Sequence, residues 1–246
     1  TNSGSVGIGS TSPASTLGVA GSGYFAGNVN LDQFSTYKLN GLTVLSATTT
    51  TFNTLAGFYA GANIVSTSTS NTSGLYNTAL GYEALRYATS TDLNTAVGYS
   101  ALRMSSSGTA DNSGERNSAF GYSALRDNTT GDYNSALGVN ALQVNTTGFD
   151  NSALGYQALA SNTTGSDNSA LGYLALLLNT TGRYNSALGS YALRNTTGEG
   201  NSALGYGTLN SNTTGSSNSA LGVQALYYNN SATNTVAVGY QAAQGT

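Results

Sequence analysis

The chain reads as an all-β protein, a parallel β-solenoid or β-roll of about eleven 17-residue coils, and three observations predict it. A glycine preceded by Asn and small or aliphatic residues returns eleven times from Gly57 to Gly239, usually as N-S-A-L-G followed by Y-x-A-L. The steps between these glycines are 24, 17, 23, 17, 17, 17, 17, 16, 17 and 17 residues. Apolar residues hold the same place in each copy, and the polar turn N-T-T-G separates copies. A unit this short cannot fold alone and is too regular for a linker. It buries its apolar positions only against the next copy.

Residues 1 to about 50 stand outside the repeat and read as a β-rich stem or adaptor, leaving 51–246 for the solenoid. Short strand-like runs surround Val6, Pro13 and Phe25, and another begins at Tyr37. Asn40-Gly41 between apolar stretches is a hairpin signal.

Within one unit, numbered from its glycine, position −4 is mostly Asn, as in Asn134, Asn151 and Asn168. Position −1 is aliphatic or aromatic, as in Leu137, Leu154 and Leu171, and position +4 is Leu, as in Leu142, Leu159 and Leu176. Position +1 is usually Tyr, as in Tyr156 and Tyr173. Two glycines and a Ser/Thr/Asn-rich turn leave segments too short for a stable helix. Two short strands per unit are expected instead, through S-A-L and through Y-x-A-L. N-T-T-G is then the return turn, since Asn tolerates and Gly favours left-handed backbone. Parallel pairing of successive units advances about 4.8 Å per unit, giving a rod of roughly 50 Å.

The two leucine columns lie five residues apart, so in one straight strand they would face opposite sides. Either the glycine turns both inward, or one column packs on another subunit. A thin core of Ala and Leu favours oligomerisation, and a homotrimer, intertwined or side by side, is expected. Extra residues around 62–68 and 105–110 are expected as surface loops, and the one-residue deletion before Asn195 is expected to be absorbed in the turn.

Composition narrows the function. Only 7% of residues are charged and the net charge is −3, which gives no electrostatic case for nucleic acid. No apolar run reaches the length of a membrane span. The chain begins with Thr1, as expected of a processed chain or a fragment, and no signal peptide is visible. With no His, no Cys and Lys38 as the only lysine, Ser/His/Asp and Cys/His catalysis and histidine metal ligation are excluded. A carboxylate-pair glycosidase finds no pair outside the repeat phase, so no enzyme and no cofactor are expected.

The remaining site candidates repeat with the coil. Asp92, Glu115 and Asp132 share position −6, and Asp150 and Asp167 share −5. Stacked carboxylates could share a hard cation such as Ca²⁺, but solvated turn residues are the simpler reading. The Tyr column could stack a glycan or merely stabilise the rod. Arg86, Arg103, Arg126 and Arg194 share position +5, and a dispersed exposed column is expected there rather than an anion site. The six N-T-T triplets match glycosylation sequons but are explained by the turn. Their Thr pairs suggest an ice-binding face as an alternative function.

One resemblance spans nearly the whole chain. V-G-I-G-S-T-S-P-A-S-T-L-G-V-A-G-S-G-Y-F-A-G-N-V, 6–29, with Y-K-L-N-G-L-T-V-L-S and the N-T-T-G-x-x-N-S-A-L-G array, resembles phage-tail-fibre-type proteins that end in a cleavable intramolecular chaperone. The rung motif, most closely N-T-V-A-V-G at 234–239, is similar to the head repeats of trimeric autotransporter adhesins, a left-handed parallel β-roll. Both resemblances imply a homotrimer outside the cell, on a cell surface or on a virion, without membrane insertion. They imply an adhesive or structural fibre segment whose partners are its own copies and a host-surface glycan or protein. A purely structural filament protomer without a receptor is the other alternative.

Overall fold

A computed structural model of the chain describes residues 36–39, 42–47, 52–64, 74–104 and 113–244, with backbone alone for 36–47. The fold is all-β, a parallel β-solenoid of about nine turns, and no helix occurs among the described residues. It lies within one compact unit, Gln33–Thr246.

Strands β1 (Thr36–Leu39) and β2 (Leu42–Ala47) pair antiparallel around Asn40-Gly41, as the turn dipeptide predicts. β2 then pairs antiparallel with β3 (Thr54–Ala56). From β3 onward the pairing is parallel: β4 (Thr78–Leu80), β5 (Thr95–Val97), β6 (Ser118–Phe120), β7 (Ser135–Leu137), β8 (Ser152–Leu154), β9 (Ser169–Leu171), β10 (Ser186–Leu188), β11 (Ser202–Leu204), β12 (Ser219–Leu221) and β13 (Val236–Val238). Ser pairs with Ser, Ala with Ala and Leu with Leu through the repeat, as in Ser152↔Ser169, Ala153↔Ala170 and Leu154↔Leu171. Both insertions keep this register, since β3 pairs β4 and β5 pairs β6. Residues 65–73 and 105–112, which hold most of the inserts, and the stem before residue 36 lie outside the described residues.

Only one strand forms per coil, not two. Y-x-A-L is instead a turn whose backbone alternates in hand, with positive φ at positions +2 and +4: Gln157 at 53° and Leu159 at 52°, Leu174 at 57° and Leu176 at 52°. This geometry sends alternate amides to opposite neighbours. The Gln157 N–H donates to Val139 O of the preceding coil (2.9 Å), and the Leu159 N–H to Ala175 O of the following one (3.0 Å). A left-handed L-residue costs about 1–2 kcal/mol. An amide bonded along the stack, together with a buried Leu side chain worth about 1.5–3 kcal/mol, offsets that cost.

The turn glycines act differently from expectation. In N-T-T-G no glycine of the regular turn, such as Gly148 or Gly165, has positive φ; a Cβ on Gly148 would stand 2.3 Å from Gly165 O and 2.5 Å from Asn145 Oδ1. Close approach of the next coil requires glycine there, not handedness. The rung glycine needs both, since Gly172 has φ +146° and a Cβ on it would sit 2.4 Å from Gly189 O.

The core is thin: the alanines of S-A-L and of Y-x-A-L, with the +4 leucines Leu142, Leu159 and Leu176, all buried. Two columns of buried Asn close it. In the first, Asn151 Oδ1 accepts the Asn168 N–H (3.1 Å), while Asn151 Nδ2 donates to Gly165 O (2.9 Å). Asn134 and Asn168 repeat both bonds one rung away. In the second, the first residue of N-T-T-G donates to its own turn glycine and to the Asn one coil back, as Asn162 does to Gly165 O and Asn145 Oδ1. Most of the buried amides thereby bond along the axis, as buried polar groups generally do.

The deletion is absorbed in the turn, with a change of occupant. Asn195 does not take the buried Asn position; Thr196 does, fully buried, accepting from Asn212 Nδ2 (3.3 Å) and the Gly198 N–H (3.1 Å). Thr196 has no amide to offer downward, and Asn179 Oδ1 is left without a partner.

Candidate functional surface

The outside of the solenoid is a set of columns, each fixed by a repeat position. Period-2 alternation in S-A-L turns Ala to the core and leaves Ser and Leu outside. Leu137, Leu154 and Leu171 are 49%, 41% and 46% exposed, whereas Leu142, Leu159 and Leu176 are fully buried. The two leucine columns therefore face different surroundings, so the glycine does not turn both inward. The outer column runs from Leu80 to Val238 and includes Phe120. Between it and the Ser column lie two shallow grooves, one over β6–β9 and one over β9–β13, that share Ser169 and Leu171 as walls.

The Tyr column at +1 stacks where tyrosines are consecutive. Tyr82–Tyr99 and Tyr99–Tyr122 are parallel at 5.2 and 5.1 Å, and Tyr156–Tyr173 at 5.3 Å. Ser190 interrupts the column, and Tyr191 fills in edge-on, 5.4 Å from Tyr173 and 5.8 Å from Tyr206. These rings remain half exposed, Tyr156 at 44%. Partial desolvation, then the Glu83 carboxylate and the phenols of Tyr99 and Tyr59, push the Tyr82 phenol above its ordinary pKa.

The carboxylate column has a backbone role. Asp92 Oδ1 accepts the Leu75 N–H (2.8 Å) and Asp132 Oδ1 the Glu115 N–H (2.7 Å), each bridging to the preceding coil. Ser166 makes the same bond to the Phe149 N–H, so the position needs an acceptor rather than a charge. Glu115 is paired with Arg116 at 2.9 Å. No group of three His, Cys, Asp or Glu that could hold a metal occurs among the described residues. Asp150 and Asp167 occupy left-handed backbone, φ 52° and 58°.

The arginines form no plain exposed column: all four side chains have partners. Glu83, nearly buried, pairs with Arg86 and with Arg103 (3.3 Å), and Arg86 lies 4.3 Å over the Tyr59 ring. Arg126 pairs with Asp127 at 2.5 Å, which raises its already high pKa, and Arg194 donates to Asn195 Oδ1 at 3.2 Å. Glu83 escaped the sequence reading. Its signal was an acid three residues before one column arginine and one coil before the next.

Five of the six sequon asparagines, Asn128, Asn145, Asn162, Asn179 and Asn212, are completely buried, which closes them to glycosyl transfer in the folded chain. The Thr that follows is also committed: Thr146 Oγ donates to Thr163 O (2.9 Å) and Thr163 Oγ to Thr180 O (3.0 Å). One exposed Thr per turn remains, as at Thr130 and Thr164.

No protein-family model, no curated protein and no solved structure matches this chain.

Proposed function

We propose that the chain is a segment of an extracellular fibre, homotrimeric, whose work is structural and adhesive. One observation carries this reading: the exposed Leu, Tyr, Ser and Thr side chains stand in columns repeated rung after rung. Such a surface supports attachment by many weak, equivalent contacts summed along the rod and across chains, each too weak to hold alone. A host-surface glycan lying on the tyrosine column is the partner this chemistry suits, through ring faces left half exposed.

Sedimentation equilibrium on the purified chain tests the proposal. A mass of three chains is expected; a stable single chain at micromolar concentration overturns the trimeric fibre. An ice-binding face is disfavoured by the Thr hydroxyls already bonded to the next coil. A thermal-hysteresis assay is expected to give no freezing-point gap, and a clear gap would replace the fibre reading with that one.

A further inference from the structure

We infer that the Ser–Leu face of the solenoid is the seam on which a second copy of this chain docks, with parallel axes and rungs level. The inference rests on the fibre reading above and names the surface that assembles it. Throughout β3–β13 this face carries only Thr, Ser, Leu, Val, Phe and Ala, with no charged side chain in any strand. Water meets a row of partly exposed apolar side chains, mostly leucine, with Val97, Phe120 and Val238 in the same column. Eleven strands at about 4.8 Å make it roughly 50 Å long and about 10 Å wide, ~500 Å² in projection. A ridged surface has more accessible area than its projection, which places it on the scale of the ~800 Å² per side of a standard specific interface.

Spacing selects the occupant. A partner must offer apolar groups at about 4.8 Å intervals along a straight line. An α-helix repeats every 5.4 Å and falls half a rung out of step within about four turns. A second copy has the same rise and stays in step from end to end. The relief is also self-complementary, because a leucine ridge runs beside a groove bounded by serine. The ridge of one copy can lie in the groove of the next, with parallel axes keeping equal rungs level.

The absence of cysteine from the chain makes the test clean. Single variants Leu137→Cys, Ser135→Cys, Ser219→Cys and Tyr156→Cys are prepared, with circular dichroism confirming that each keeps the β-rich spectrum. They are co-assembled in pairs and mildly oxidised. Leu137→Cys with Ser135→Cys is expected to give most of the covalent two-chain product, at least about tenfold over Leu137→Cys with Ser219→Cys, which lie five rungs out of level, and over Tyr156→Cys with itself. Equal or reversed yields overturn the inference. A three-chain particle without stripe cross-links overturns the seam and leaves the fibre reading intact. Stripe cross-links in a two-chain particle uphold the seam and overturn the trimer. An uncross-linked single chain overturns both.

Discussion

At the scale of single residues, the solenoid depends on side chains that bond to the backbone of another coil. Asn151 supplies an acceptor to the Asn168 amide and a donor to Gly165 O, all buried. Asn151→Ala leaves two buried groups unpartnered at about 1–3 kcal/mol each, so urea denaturation is expected to show a loss of about 2–6 kcal/mol. Gly172→Ala meets a backbone oxygen at 2.4 Å with φ at +146°, and a loss of about 3 kcal/mol or more is expected by the same measurement. Gln157→Gly goes the other way. Its φ of 53° strains an L-residue, and Gly207 already occupies the equivalent place, φ +61°, three coils further along the ladder. Relief of about 1–2 kcal/mol, less the chain entropy of glycine, predicts a net gain of about 0.5–1 kcal/mol. The Asn columns were legible in the sequence because the residue type rarely changes: Asn holds position −4 from Asn53 to Asn218 and gives way only at Thr235. The left-handed Leu and Gln were not, since local preference argues against them and only bonds to two other coils make them favourable.

At the scale of the element, the contrast between the two leucine columns is the informative one. Leu159 is fully buried, and Leu159→Ala is expected to cost about 2–5 kcal/mol as a core cavity. Leu154 is 41% exposed, and Leu154→Ser is expected to cost about 1 kcal/mol or less within one chain while weakening association of chains. Comparing denaturation midpoints with sedimentation mass separates the two effects; equal stability losses would show that both columns are core. S-A-L was readable as a strand because alternation, length and the flanking glycine agreed. Y-x-A-L carries the same alternation, yet it folds as a turn. Its amides bond to coils on both sides, a pattern that one unit's sequence does not encode. The shortened turn at Thr196 was readable as a deletion, but not the exchange of Asn for Thr in the buried column, because the motif N-T-T-G survives intact in the sequence.

At the scale of the whole molecule, the period alone dictated stacking, and stacking dictated which faces repeat. The outer leucine row, the tyrosine row and the buried Asn rows all follow from one in-register ladder. The choice between a self-sufficient coil and an associating one turned on which way the −1 leucines face, and that depended on the bend at the rung glycine. X-ray diffraction from flow-aligned rods tests the ladder most directly. A strong reflection near 4.8 Å along the rod axis is expected from strands lying across it. A 4.8 Å reflection perpendicular to that axis, or none at all, would contradict the stacked coil.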